Sequence, residues 1–295
     1  MIIDNAEGLV FRPPSEAYSF ILRATIGCSH NKCTFCAMYK DSKFRIRPLD
    51  EIKGIIDRGS RVYPTIRRLF IADGDALILS TDTLLSIMDY CYASFPRLTR
   101  IGAYATPKDL LRKTPEELKL LHERGLGILY MGIESGDDEV LRRVQKGVTA
   151  DEVIEAGQKA LAAGFKLSCM ILLGLGGQER THEHAIETGR VVSAINPTML
   201  SALSLLIPHN VPLYEEVQKG TFTPLTARGF LQELDEILAH TDMKNPCIFR
   251  SNHVSNRYPV GGTLPKDKDA MRKALEAMIP YEDDITPLLG DTHHF

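Results

Sequence analysis

Apolar positions recur along the chain in two alternating rhythms. Compact runs come at Tyr18-Ser-Phe-Ile-Leu-Arg-Ala-Thr25, Arg67-Arg-Leu-Phe-Ile-Ala72, Arg100-Ile-Gly-Ala-Tyr-Ala105, Leu126 to Glu134, Phe165 to Leu173 and Met199 to Ile207. These read as six strands. Between them the spacing lengthens to three and four residues. Leu49, Ile52, Ile55 and Ile56 mark one face of a helix over 48–61, and Leu84, Leu85, Ile87 and Met88 mark another that opens at Thr81. A further helix opens at Thr106-Pro107, where proline suits a first turn. Thr114 opens the next, with a glutamate three residues on and a stop at Gly125. Helical spacing returns over 137–145, 149–163 and 179–195.

This alternation predicts an α/β protein with a parallel sheet and helices outside it. Near-continuous apolar strands such as Met170-Ile-Leu-Leu173 fit a sheet buried on both faces. A closed eight-fold barrel usually needs about 250 residues, so six units over 18–207 predict an open, partial (β/α)6 TIM-like barrel. After Pro208 the rhythm lapses. Segments 212–220, 225–241 and 266–279 read as helices, and 246–265 as a polar loop rich in Asn, Pro and Gly. The expected organisation is a lead-in over 1–17, broken by Pro13-Pro14, a barrel over 18–220, and an extension over 221–295 that caps it. No linker marks two independent domains.

Composition narrows the partners. Apolar residues make up 44% of the 295 positions and the formal net charge is −3, so no bulk attraction to nucleic acid or a membrane surface is expected. Lys40, Lys43, Arg45 and Arg47 form only a local basic run. The N-terminus lacks the basic start and apolar core of a signal peptide, and no run approaches the roughly 18 apolar residues of a membrane span. A cytoplasmic protein is the simplest reading. In that compartment clustered cysteines are more often ligands or catalysts than disulfides.

Such a cluster exists. Three of the six cysteines, Cys28, Cys33 and Cys36, fall in one loop with the spacing CxxxxCxxC. Thiolates suit zinc or an iron–sulfur cluster. His30 offers a fourth ligand for a closed, structural zinc site. Three thiolates alone would leave one iron of a [4Fe–4S] cluster open. Cys91, Cys169 and Cys247 are scattered and read as small buried apolar residues.

Other polar residues stand out against their surroundings. Arg23 interrupts an apolar strand and needs an anionic partner, either a substrate group or an internal carboxylate. Tyr104 ends the third strand. The stretch from Arg250 to Tyr258 gathers Arg250, Asn252, His253, Asn256 and Arg257 with few apolar residues. Loops at the open face of such barrels carry function, so Arg250, Asn252, His253 and Asn256 are expected to cap a site.

A strand, then a three-cysteine loop with Phe35 just before Cys36, then five more strand–helix units resembles the radical S-adenosylmethionine superfamily. The chain has four residues between its first two cysteines where the superfamily usually has three. Asp73-Gly74-Asp75 stands where the family's methionine-binding turn lies. The segment Gly132-Ile-Glu134 to Arg143 is similar to the branch of methylthiotransferases, elongator-type enzymes and oxygen-independent coproporphyrinogen dehydrogenases. Met170 to Gly177 resembles the adenine-contacting turn, and Leu205 to Tyr214 the sixth-strand exit.

The resemblance implies a [4Fe–4S] cluster on Cys28, Cys33 and Cys36. It also implies S-adenosylmethionine bound by Phe35, Gly74, Asp75, Glu134, Arg143, Gly174 and Leu175. The implied reaction is reductive cleavage to methionine and a 5′-deoxyadenosyl radical, which abstracts hydrogen from a small substrate. An electron donor such as flavodoxin or ferredoxin would serve it. Arg23, Arg250 and Arg257 suggest that the substrate is anionic. Two alternatives stay open: cleavage of another S–C bond with 3-amino-3-carboxypropyl transfer, and a zinc-stabilised binding protein without catalysis.

Overall fold

The structure, a computed structural model, describes residues 9–284; part of the expected lead-in over 1–17 lies outside them. Eight strands belong to one mainly parallel sheet, and a separate pair forms a small ribbon. The chain divides into two compact units interleaved in sequence. Among the described residues, one comprises 9–31, 38–131 and 158–167, and the other 32–37, 132–157 and 168–284.

In the first unit β1 (Phe20–Leu22), β4 (Arg68–Ile71), β5 (Arg100–Tyr104) and most of β6 (Leu126–Glu134) lie side by side and parallel. The ribbon pairs β2 (Thr25–Ile26) with β3 (Arg45–Ile46) in antiparallel sense, which closes the stem of the cysteine loop. The expected strand over 18–25 is therefore broken at Arg23-Ala24. Four helices, α1 (Leu49–Val62), α2 (Thr81–Ser94), α3 (Pro107–Arg112) and α4 (Pro115–Glu123), connect the strands. Helix α1 buries Ile52, Ile55, Ile56 and Gly59, the face its spacing predicts. Gly59 is needed there, because a Cβ would come 2.4 Å from the Phe20 ring of β1. Ser80 caps α2, and Thr114 with Glu117 forms the expected capping box of α4.

Further along the chain come α5 (Asp138–Arg143), α6 (Ala150–Ala162), β7 (Lys166–Leu173), α7 (Thr181–Ile195) and β8 (Met199–Ser204). There follow α8 (Pro212–Gln218), α9 (Ala227–Ala239), β9 (Cys247–Arg250), β10 (Gly261–Leu264) and α10 (Lys268–Met278). Strands β7, β8 and β9 are parallel and β10 runs antiparallel to β9. The expected polar loop over 246–265 thus contains two strands of the sheet. Cys247 and Phe249 point inward while Ile248 and Arg250 face out, a period-two pattern too short to stand out among the flanking Asn, Pro and Gly. Among the described residues no helix is long and apolar enough to cross a membrane.

Candidate active site

In the first unit the start of the cysteine loop is fastened to the turn after β4. The Gly74 N–H donates to the Gly27 carbonyl at 3.0 Å, and the Gly27 N–H donates to Asp73 Oδ2 at 3.1 Å. Ser29 donates to Asp75 through its backbone N–H at 3.2 Å and also through its hydroxyl. Gly74 packs so closely on Cys28 that an added Cβ would fall 2.4 Å from the cysteine Cβ. Asp73 adopts φ +73°, a left-handed conformation uncommon outside glycine. Its carboxylate is matched by Arg23, with Nε at 3.0 Å and Nη2 at 2.9 Å, in a pair that is fully buried. Burial pushes the Asp75 carboxyl up to about 6; its hydrogen bond from Ser29 opposes this, and nearby Asp109 adds to it.

In the second unit Cys33 and Cys36 share one turn, closed by the Cys36 N–H on the Cys33 carbonyl at 3.4 Å. Backbone bonds on both sides of Thr34 moor this turn: its N–H to Val144 and its carbonyl from the Leu213 N–H, each 3.0 Å. Phe35 packs against a buried cluster that includes Val140, Val144, Leu175 and Phe222. Glu134, the last residue of β6, has φ +65° and pairs with the Lys146 ammonium at 2.9 Å. Burial disfavours the charge on Lys146, but Glu134, then Cys33 and Cys36, outweigh it and hold its pKa above the ordinary lysine value. Arg143 donates to Glu216 at 3.0 Å and lies over the Phe222 ring. Gly174 adopts φ +81° after β7, and Leu175 is buried beside it.

The residues expected to contact substrate have more internal partners than the sequence suggested. Arg23 is satisfied by Asp73, the internal carboxylate its burial demands. Arg250 braces the β9–β10 pair through the carbonyls of Phe249 at 2.6 Å and Gly262 at 3.1 Å. Arg257 pairs with Glu282 at 3.3 Å. Arg23 and Arg257 are thus paired with internal carboxylates, whereas the partners of Arg250 are backbone carbonyls. Asn256 spends its amide on the Ala202 carbonyl at 2.7 Å and Ser251 Oγ at 2.9 Å, while its oxygen accepts from Ser204 Oγ at 2.7 Å. It rivets the loop after β9 to the end of β8.

His253 lies on that loop, its Nδ1 accepting from Ser255, and burial pushes its pKa below the ordinary value. Asn252 is exposed. Tyr104 stacks edge-on against Phe70 and Tyr130, and burial, with Tyr130 and Asp73, pushes its pKa up. Lys146, Glu233 and His184 escaped the sequence reading. Each is a lone charged or titratable residue in a helix or loop, and no periodicity distinguishes it from a solvated neighbour.

The fold and these turns define a class of protein. The radical SAM superfamily matches residues 22–188, more than half of the chain, and the protein belongs to it. It is therefore an enzyme that uses a [4Fe–4S] cluster and S-adenosylmethionine. Among individual proteins, it is 26% identical over 204 residues to the heme chaperone HemW of Bacillus subtilis, covering 65% of this chain and 52% of that one. The coproporphyrinogen III oxidase HemN of Escherichia coli shares the fold at TM-score 0.56 and 20% identity, over 75% of this chain and 51% of that one. Methylornithine synthase (PylB) is alike over 93% of this chain and 75% of that one, at TM-score 0.53 and 15% identity. These likenesses agree with the HemN-like branch. The chain spans about half the length of its HemW relative.

The residues present fit the cluster chemically. The three loop thiols are half-buried, whereas Cys91, Cys169 and Cys247 are buried, and burial pushes the thiols of all three of these up. Burial thus disfavours Cys91, Cys169 and Cys247 as thiolate ligands. Among the described residues no three His, Cys, Asp or Glu side chains are grouped as a cage for one ion. His30 instead brings its Nδ1 to 3.5 Å from the Lys108 ammonium. Metal sites commonly form as the metal binds. Family membership removes the non-catalytic zinc reading.

Proposed function

We propose that Cys28, Cys33 and Cys36 hold a [4Fe–4S] cluster and that the turns after β4, β6 and β7 hold S-adenosylmethionine beside it. The observation that carries this reading is the division of the six thiols, with the three half-buried ones all in the family's matched segment. A cluster held there would supply the electron for reductive cleavage of S-adenosylmethionine to methionine and a 5′-deoxyadenosyl radical, which would abstract hydrogen from a small-molecule substrate.

The chain's own residues bind and orient. Gly74, without a side chain, lets the turn after β4 pack directly on Cys28, and Asp75 offers a carboxylate to the methionine amine. Glu134, steadied by Lys146, faces the ribose, and Gly174 with Leu175 lies against the adenine. Phe35 holds the second half of the cysteine loop on its apolar cluster. Asn252 and His253, on the loop riveted by Asn256, supply polar contacts to substrate, with Tyr104 at the end of β5. The electron comes from a small redox protein such as flavodoxin or ferredoxin.

Anaerobic reconstitution tests the reading. Iron and sulfide are expected to bind, to vanish in Cys28→Ala, Cys33→Ala and Cys36→Ala, and to remain in Cys91→Ala. The reduced protein with S-adenosylmethionine should release 5′-deoxyadenosine. Iron retained in all three loop variants would sink the cluster assignment. Release of 5′-methylthioadenosine in its place would establish aminocarboxypropyl chemistry.

A further inference from the structure

Buried polar side chains meet in the second unit, outside the residues expected to touch the cofactor. Glu233, on α9, is 1% exposed. Its carboxylate accepts from the Gly174 N–H at 2.6 Å and from the Thr181 hydroxyl at 2.5 Å, with His184 Nε2 at 3.6 Å. On the other ring edge, His184 Nδ1 lies 2.7 Å from Ser135 Oγ, which accepts from the Asp137 N–H at 3.0 Å. His184 and Ser135 are fully buried.

The order serine, histidine, carboxylate invites comparison with a nucleophilic triad, but substrate cannot reach side chains so enclosed. The arrangement has a different use, because it joins the exits of two strands. Ser135 directly follows β6 and Gly174 directly follows β7. The link between them runs through α7 and α9. Helix α9 grips the Gly174 turn a second time through Phe230, whose ring an added Cβ on Gly174 would meet at 2.6 Å. The carboxylate oxygen is the acceptor that the Gly174 N–H finds there. Without it the Gly174 N–H would be left unpaired in the interior.

We propose that Glu233 is a positioning residue for S-adenosylmethionine: it fixes the Gly174–Leu175 turn directly and, through α7, whose Thr181 donates to it and whose His184 reaches Ser135, the end of β6 beside Glu134. Helix α9 thereby sets the shape of both turns that receive the nucleoside. This rests on the reading that those turns contact the cofactor. Glu233 itself touches neither cofactor nor substrate.

Two substitutions separate positioning from bulk stability. Glu233→Met keeps the volume and removes the acceptor. Glu233→Gln keeps an oxygen for the Gly174 N–H. The dissociation constant for S-adenosylmethionine is measured by anaerobic equilibrium dialysis of cluster-loaded protein. Backbone hydrogen exchange over 172–178 is measured without it. E233M should bind at least about tenfold more weakly, the scale of one lost buried hydrogen bond, and exchange faster over 172–178, with iron content unchanged. E233Q should recover both. If E233M does not fold, Glu233→Asp, which withdraws the carboxylate by one methylene, carries the same expectation.

Wild-type affinity in folded E233M, or in E233D where that replaces it, overturns the proposal even if the melting temperature falls. So does a folded E233Q that fails to recover. If the wild-type protein itself does not bind S-adenosylmethionine, the cofactor reading fails and takes this inference with it.

Discussion

Gly74 and Cys28 are in such close contact that a side chain at 74 has nowhere to go: an alanine Cβ would stand 2.4 Å from the cysteine Cβ and 2.9 Å from its Cα. The obstruction includes backbone, so a rotamer change cannot relieve it. Gly74→Ala should cost about 1–3 kcal/mol of stability, the range of an overpacked interior. It should also displace the first thiol. Iron and sulfide analysis after reconstitution, beside a denaturant titration, reads both effects; full cluster occupancy at unchanged stability would refute the contact.

Arg23 and Asp73 form a pair whose members cannot be lost singly. Arg23→Met leaves a buried carboxylate without its cation, a loss of roughly 3–5 kcal/mol. The double variant R23M/D73N should recover a substantial part of this, because asparagine carries no charge and tolerates a left-handed backbone. Urea unfolding of the four proteins in a double-mutant cycle measures the coupling, and additive losses would show that the pair is not the source.

Asp75 makes stability fall as pH rises. Its folded pKa of about 6 lies above the ordinary 3.8, so between these values the folded state holds a proton that the unfolded state has released. The group therefore penalises folding progressively as pH climbs through about 6, by up to about 3 kcal/mol. Asp75→Asn removes the charge while keeping an oxygen for the Ser29 N–H. It should raise the melting temperature of the cluster-free protein at pH 7.5 and leave it nearly unchanged at pH 4. An equal shift at both values would rule out the ionisation.

Lys146 places a positive charge near Cys33 and Cys36 while pairing with Glu134. A reduced cluster carries one more negative charge than an oxidised one, so removing the lysine disfavours reduction. Lys146→Met should lower the midpoint potential by tens of millivolts, where about 59 mV corresponds to a tenfold change for one electron. Lys146→Arg should stay near wild type. A potentiometric titration followed by electron paramagnetic resonance decides it, and an upward shift would contradict the placement.

The strands and helices of the repeating units were legible because each buries a face whose period is written in its apolar residues, as in Ile52, Ile55 and Ile56 of α1. Legibility ended where four residues had to carry the pattern, at Cys247–Arg250 and Gly261–Leu264. It also ended where role depends on long-range pairing. Asn256 reads as a loop residue that caps a site, yet its amide bonds residues 52 and 54 positions away. Arg23 could be seen to need an anion, but which anion depended on the fold bringing Asp73 beside it. The cysteine loop was readable because its three cysteines are neighbours in sequence. Glu233 was not, because its meaning lies in a backbone N–H 59 positions earlier.

Asp73 and Glu134 hold left-handed backbone angles at strand exits, with φ of +73° and +65°. A procedure that optimised this sequence on backbone preference alone would place glycine at both, and each change would relieve roughly 1 kcal/mol of local strain. Each would also erase a carboxylate, one that anchors Arg23 and one that pairs with Lys146. Consensus or energy-guided engineering of this enzyme should therefore hold these two positions fixed, since the local strain relieved is smaller than the loss of leaving Arg23 or Lys146 without its carboxylate.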